Sequence, residues 1–99
     1  MPFTSGDLGE QGFNITTPAV PASTVNAVNT FGVPVIIYIL TAGTATGWSI
    51  TDVSGNVVAI SASTGPPVGS AIYLPPNASI KITYSAAPTW KWYALRQTN

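Results

Sequence analysis

From Pro21 to Leu95 the chain is written in short runs of β-branched and aromatic residues broken by Gly, Pro, Asn and Ser. No stretch keeps the 3.6-residue spacing of an amphipathic helix long enough to form one. The pattern predicts strands over Ser23–Val28, Val33–Leu40, Trp48–Val53, Val57–Ser61, Ala71–Leu74, Ser79–Tyr84 and Trp90–Leu95. About seven short strands with no helix make an all-β domain, a small β-sandwich or barrel.

The strands differ in what their two faces ask for. Ser79–Tyr84 alternates cleanly, with Ile80, Ile82 and Tyr84 inward and Ser79, Lys81 and Thr83 outward, so one face is wet. Val33–Leu40 is apolar on both faces, which suits a central strand whose second side is covered by an N-terminal arm or by another subunit. Ile36 and Tyr38 are therefore candidate interface residues. Asp52-Val53-Ser54-Gly55-Asn56-Val57 predicts a hairpin, because Gly and Asn readily accept positive φ. Pro66-Pro67 and Pro75-Pro76-Asn77 each remove two backbone donors and mark breaks between strands.

Trp90-Lys91-Trp92-Tyr93 places the two tryptophans on one strand face and Lys91 and Tyr93 on the other. Buried, Trp90 and Trp92 are the main core mass, at roughly 150–250 Å² each. Exposed, they form a platform for a partner or a sugar ring. Trp48, after a Gly-rich turn, poses the same alternatives. Tyr93 joins the candidate interface.

Residues 1–20 have no periodicity and carry Pro2, Gly6, Gly9, Gly12 and Pro18. They read as an extended N-terminal arm on a β domain of residues 21–99, either frayed or ordered against a neighbouring subunit. Phe3, Leu8, Phe13 and Ile15 are its candidate anchors, and it holds two of the three acids, Asp7 and Glu10.

Charge narrows the choice of function. Charged residues are 6% of the chain and sum to zero, against roughly 25% in an average globular protein. Copies of such a surface repel one another little, which favours a homo-oligomer or docking on a partner. A chain of 99 residues without cysteine has neither disulfides nor thiolate metal sites to supplement a modest core. Lys81, Lys91 and Arg96 form no basic stripe for phosphates, so no nucleic-acid partner is expected. The longest apolar run, Val33–Leu40, is far short of the roughly 20 residues of a membrane-crossing helix, and the N-terminus has no secretory pattern. The expectation is a protein with no membrane partner.

Catalysis finds no footing in this composition. Without His or Cys the many hydroxyls have no ordinary activating base, and Lys81 and Lys91 stand at outward positions of strands. Paired-carboxylate chemistry lacks its pair, because Asp52 sits alone beside the hairpin, where it reads as a turn-capping side chain. Zinc has no ligand set and calcium would need more oxygens than Asp52, Ser54 and Asn56 supply. The expected protein is not an enzyme and carries no cofactor. Two matches to the glycosylation sequon, at Asn14 and Asn77, are of the kind that chance provides in a chain rich in Asn, Ser and Thr.

Ile72-Tyr73-Leu74-Pro75-Pro76-Asn77-Ala78-Ser79-Ile80-Lys81-Ile82-Thr83-Tyr84, followed by Ala87-Pro88-Thr89-Trp90-Lys91-Trp92-Tyr93, resembles the capsid decoration (cement) proteins and head-fibre domains of tailed bacteriophages. The resemblance spans residues 33 to 95 and lies in general character, with Gly/Thr/Ser-rich strands, a Leu-Pro-Pro turn and a closing aromatic strand. It implies a compact β domain without an active site, a major capsid protein as partner, and a homo-oligomer, with a trimer favoured. It also implies a place on the capsid exterior of a virion assembled in the bacterial host cytoplasm. No capsid-contact motif is matched, so no site residue is carried over. A carbohydrate-binding or host-adhesion β module and a tail or baseplate component are the alternatives.

Overall fold

The computed structural model describes residues 13–95. Its strands are β1 (Phe13–Asn14), β2 (Asn26–Val28), β3 (Val35–Thr41), β4 (Thr44–Thr51), β5 (Val57–Ser61), β6 (Ala71–Leu74), β7 (Ser79–Ala86) and β8 (Thr89–Ala94). Seven have three residues or more, and β1 is a two-residue pairing on β8. They form two antiparallel sheets, β1-β8-β3-β6 and β2-β7-β4-β5. β1 pairs with β8, β2 with β7, β3 with β6 and β4 with β5. The chain is thus one long hairpin folded over on itself, with β3–β8 and β4–β7 contacts closing the sheets. That order is a jelly roll, a sandwich rather than a closed barrel.

Period-2 alternation decides what fills the space between the sheets. Val35, Ile37 and Ile39 of β3 point inward with Ile72 and Leu74 of β6, Ile80 and Ile82 of β7, and Trp90 and Trp92 of β8. The two indoles meet edge to face at 5.4 Å, and Phe31 leans on Trp92 at 6.2 Å. Both tryptophans are therefore core, not platform. Trp90 Nε1 donates to Pro18 O at 2.7 Å, whereas Trp92 Nε1 is buried with no partner.

The segment after β1 lies against the sandwich. Ile15 and Val20 pack on the core, Thr17 Oγ1 accepts from the Trp92 backbone N–H at 3.1 Å, and Tyr84 Oη donates to Pro21 O at 2.7 Å. Residues 15–20, read from sequence as part of an arm, are packed onto the body in the same way as Pro21. Residues 1–12 of that arm lie outside the described residues.

Several strand limits move, for physical reasons. β4 begins at Thr44 rather than Trp48 because only one of the two flanking glycines makes a turn. Gly43 has φ +57°, and a Cβ there would collide with Ala86 O. Gly47 is a strand residue, buried between two register shifts, where a Cβ would lie 3.2 Å from Ser61 O. β2 shortens to three residues because Ser23 and Thr24 form a turn with Thr24 at φ 71°. β5 and β6 have the limits that the pattern predicts, and the proline pairs fall between strands. β5 is an edge strand whose Val57, Val58 and Ile60 are exposed.

The β4–β5 hairpin closes at the expected residues, with Gly55 at φ +90°. Asp52 Oδ1 accepts from Ser54 N–H at 2.9 Å and Asn56 N–H at 2.8 Å, so the side chain caps the turn. The Asn56 backbone N–H, more than any other group, holds this carboxyl below the ordinary Asp value. A depressed folded-state pKa contributes stability above the unfolded Asp pKa, and that contribution is lost as pH falls through the folded value. Urea midpoints of wild type and Asp52→Asn should therefore converge on acidification, wild type losing its small advantage. A constant difference from neutral to acid pH would refute this role.

Candidate functional site

The outer face of the first sheet is built by the same alternation that builds the core. Because Val35, Ile37 and Ile39 point in, Ile36, Tyr38 and Leu40 point out. On β8, Lys91 and Tyr93 are outward between buried Trp90, Trp92 and Ala94, and on β6 Tyr73 is outward between Ile72 and Leu74. The register sets these side chains in rows. Ile36 stands between Tyr93 and Tyr73, and Tyr38 between Lys91 and Ala71.

The rows interlock. Tyr38 and Tyr93 contact edge to face at 5.7 Å and 74°, and Lys91 Nζ lies 5.6 Å from the centre of the Tyr93 ring. An aromatic pair of this geometry adds about 0.5–1.5 kcal/mol beyond burial, and the cation over the ring adds to it. These contacts link Tyr38, Tyr93 and Lys91 into one continuous patch. It is also open, with Tyr38 39%, Tyr73 52% and Leu40 54% exposed, while Ile36, Lys91 and Tyr93 are half-buried. Thr41 and Thr89, joined through their hydroxyls at 2.8 Å, close one end with a polar edge.

Such a surface can do contact chemistry. Tyrosines present large rings with few rotatable bonds and a hydroxyl that donates or accepts, so they bind at small entropic cost. Among the described residues no three His, Cys, Asp or Glu side chains gather into a metal-ligating group. No described helix is long and apolar enough to cross a membrane.

Of the residues singled out from sequence, Ile36, Tyr38 and Tyr93 come together on this face. Ile15 lies elsewhere, half-buried against the core. Phe13 stands in β1 beside Ala94, and Phe3 and Leu8 fall outside the described residues. Tyr73, Leu40 and Lys91 complete the patch and were not among the candidates. Their signal was the alternation itself, since Tyr73 lies between two core residues of β6 and Lys91 is two positions before Tyr93.

Comparison with protein-family models, with curated proteins and with solved structures finds no match to this chain. What stands is a jelly-roll sandwich with a tyrosine-rich face.

Proposed function

We propose that this chain is a non-enzymatic virion structural protein, a decoration or cement protein of a tailed bacteriophage, that docks on the major capsid protein through the outer face of β8, β3 and β6. The observation that carries the reading is the patch of Tyr38, Tyr73 and Tyr93 around Ile36, in which Tyr38 and Tyr93 hold each other by ring contact. Tyrosine-rich patches of this kind are where binding energy concentrates in protein interfaces. Two further features support it: jelly rolls recur in viral capsid domains, and the near absence of charge lets copies crowd on a lattice. Assembly takes place in the host cytoplasm and the protein sits on the capsid exterior, as a homo-oligomer for which a trimer is the favoured state. The exposed edge of β5 leaves room for contacts between copies.

Jelly rolls also serve as lectin domains, and exposed tyrosine rings stack on sugars, so a glycan-binding or adhesion module is the second reading. Co-sedimentation with purified capsids that lack the protein separates the two. Wild type should pellet with capsids, and a Tyr38→Ser/Tyr73→Ser variant should bind at least about tenfold more weakly, as loss of central interface tyrosines implies. Its melting temperature should stay near that of wild type, because both side chains are outside the core. A wild-type protein that ignores capsids, or a double variant that binds as well as wild type, overturns the docking reading. Retention of wild type on a polysaccharide column, lost in the same variant, would replace it with the second.

A further inference from the structure

On the opposite side of the slab, which measures 18 Å through its shortest extent, the outer face of the second sheet holds a hollow of about 280 Å³. Its origin is backbone geometry. Against β7 the register slips between Ala45 and Gly47, where β4 carries the extra residue, and against β5 it slips between Trp48 and Ser49, where β5 carries it, so bulges on two neighbouring strands flank Gly47. Bulges re-aim side chains and locally bend a strand. Gly47, Ser49 and Ala59, all small, border it together with Lys81 and Thr83 of β7, and Thr46, Trp48, Ser61 and Ala62 complete the lining. Only glycine fits at position 47 without displacing Ser61 O.

The lining mixes hydroxyls with apolar surface, the apolar part being the larger, and its one charge is positive. Thr46 Oγ1 donates to Thr83 O at 3.5 Å, and Ser61 Oγ accepts from the Ser63 and Thr64 N–H groups. The Ser49 and Thr83 hydroxyls and the Lys81 Nζ have no intramolecular partner among the described residues, and no acidic side chain lines the hollow. Ser49 and Lys81 face each other directly across strands, and Thr83 faces Gly47, so the three groups border one space.

We propose that this hollow binds a single carboxylate-bearing sugar, with Lys81 on the carboxylate and the Ser49 and Thr83 hydroxyls on the ring hydroxyls. The volume falls just below the usual range for ligand pockets, roughly 300–1,000 Å³, and so holds one pyranose rather than a chain. A lone lysine among hydroxyls is a point charge in a polyol-compatible frame. Lysine also serves phosphate as a point charge, but no arginine fork stands beside it in this lining. The site is independent of the docking reading. A protein held on a lattice by its tyrosine face would turn this hollow toward the surroundings.

The test uses the free protein in solution and NMR titration with methyl glucuronide, its neutral counterpart methyl glucoside, and inorganic phosphate. Methyl glucuronide should move the amides of Gly47, Ser49 and Thr83 with millimolar affinity, and methyl glucoside should bind about three- to fivefold more weakly, the upper part of the range for one solvent-accessible charge pair. Lys81→Gln should remove that difference while Tyr38→Ser leaves it intact. Thr83→Val, which keeps the β-branched shape, should weaken both sugars and serves if Lys81→Gln fails to fold. Equal binding of the two sugars, an unaffected Lys81→Gln variant, displacement of the glucuronide by equimolar phosphate, or no movement of these amides overturns the proposal. Loss of capsid binding in the tyrosine variant has no bearing on it.

Discussion

Trp92→Ala should unfold the protein or leave it barely stable. Trp92 is 0% exposed and sits between Trp90 and Phe31 in the aromatic cluster between the sheets. Truncating a buried Trp costs about 3–5 kcal/mol, against the roughly 5–15 kcal/mol that stabilises an ordinary domain. Each kcal/mol is worth about 4–8 °C in a domain of this size, so the melting temperature should fall by at least roughly 12 °C. Trp→Phe changes give a finer reading that does not depend on the alanine variant folding. Both remove the same atoms, but Trp90→Phe also strands Pro18 O, whereas Trp92→Phe removes a donor that had no partner. Trp90→Phe should therefore be the more destabilising of the two, by about 1 kcal/mol. A melting temperature for Trp92→Ala within a few degrees of wild type would contradict this account of the core.

What the sequence disclosed about the fold follows how local each cause is. The alternation in Ser79–Tyr84 and Trp90–Leu95 reports burial of single faces, and the structure has those faces except at Ser79, expected outward but buried where β7 lies between Val28 of β2 and Thr51 of β4. The hairpin at Asp52–Asn56 was legible because turn chemistry lies within a few residues. β1 was not, since Phe13–Asn14 becomes a strand only by meeting Ala94 and Tyr93, which are remote from it along the chain. The start of β4 was hidden for a related reason: Gly43 and Gly47 look alike in sequence. One is selected by positive φ and close approach to the turn at Ala86, the other by close approach of β5.

The candidate docking face was half legible. Tyr38 and Ile36 stood out because β3 is apolar on both sides, and Tyr93 because it alternates with buried tryptophans. That these three share a face with Tyr73 depends on β3 lying between β8 and β6, which is a matter of strand order. Strand order in a jelly roll is non-local throughout, so no window of the sequence contains it. The hollow over Gly47 is further from view, because it needs two register slips that appear only when β4 is laid against β5 and β7.

Asn29→Leu should be nearly as damaging as the loss of Trp92, although nothing in its neighbourhood of the sequence marks it. Asn29 is fully buried, and its Nδ2 donates to Val33 O at 2.9 Å and to Leu74 O and Pro75 O at 3.1 Å. Its Oδ1 accepts from Phe31 N–H at 3.0 Å, while its backbone exchanges bonds with Ala78 and Asn77. One side chain thus ties the β2–β3 connection to the Pro75-Pro76-Asn77 turn between β6 and β7. Leucine has a similar size but leaves three carbonyls and one N–H without these partners. Each buried group left unsatisfied costs about 1–3 kcal/mol, and the carbonyls share two hydrogens, so a total of about 3–5 kcal/mol is expected. Asn29→Asp separates polarity from packing. Its carboxylate would face three carbonyl oxygens in a buried site, which raises its folded-state pKa above the unfolded value. Such a group is tolerated when protonated and destabilises increasingly as pH rises through the unfolded and then the folded pKa. Chemical denaturation of Asn29→Asp, corrected for wild type, should show stability recovering from pH 7 toward pH 4, whereas Asn29→Leu should stay equally impaired at both. Wild-type stability in Asn29→Leu, or an Asn29→Asp variant that weakens on acidification, would mean that this hydrogen-bonded junction does not hold the β2–β3 connection against the turn between β6 and β7.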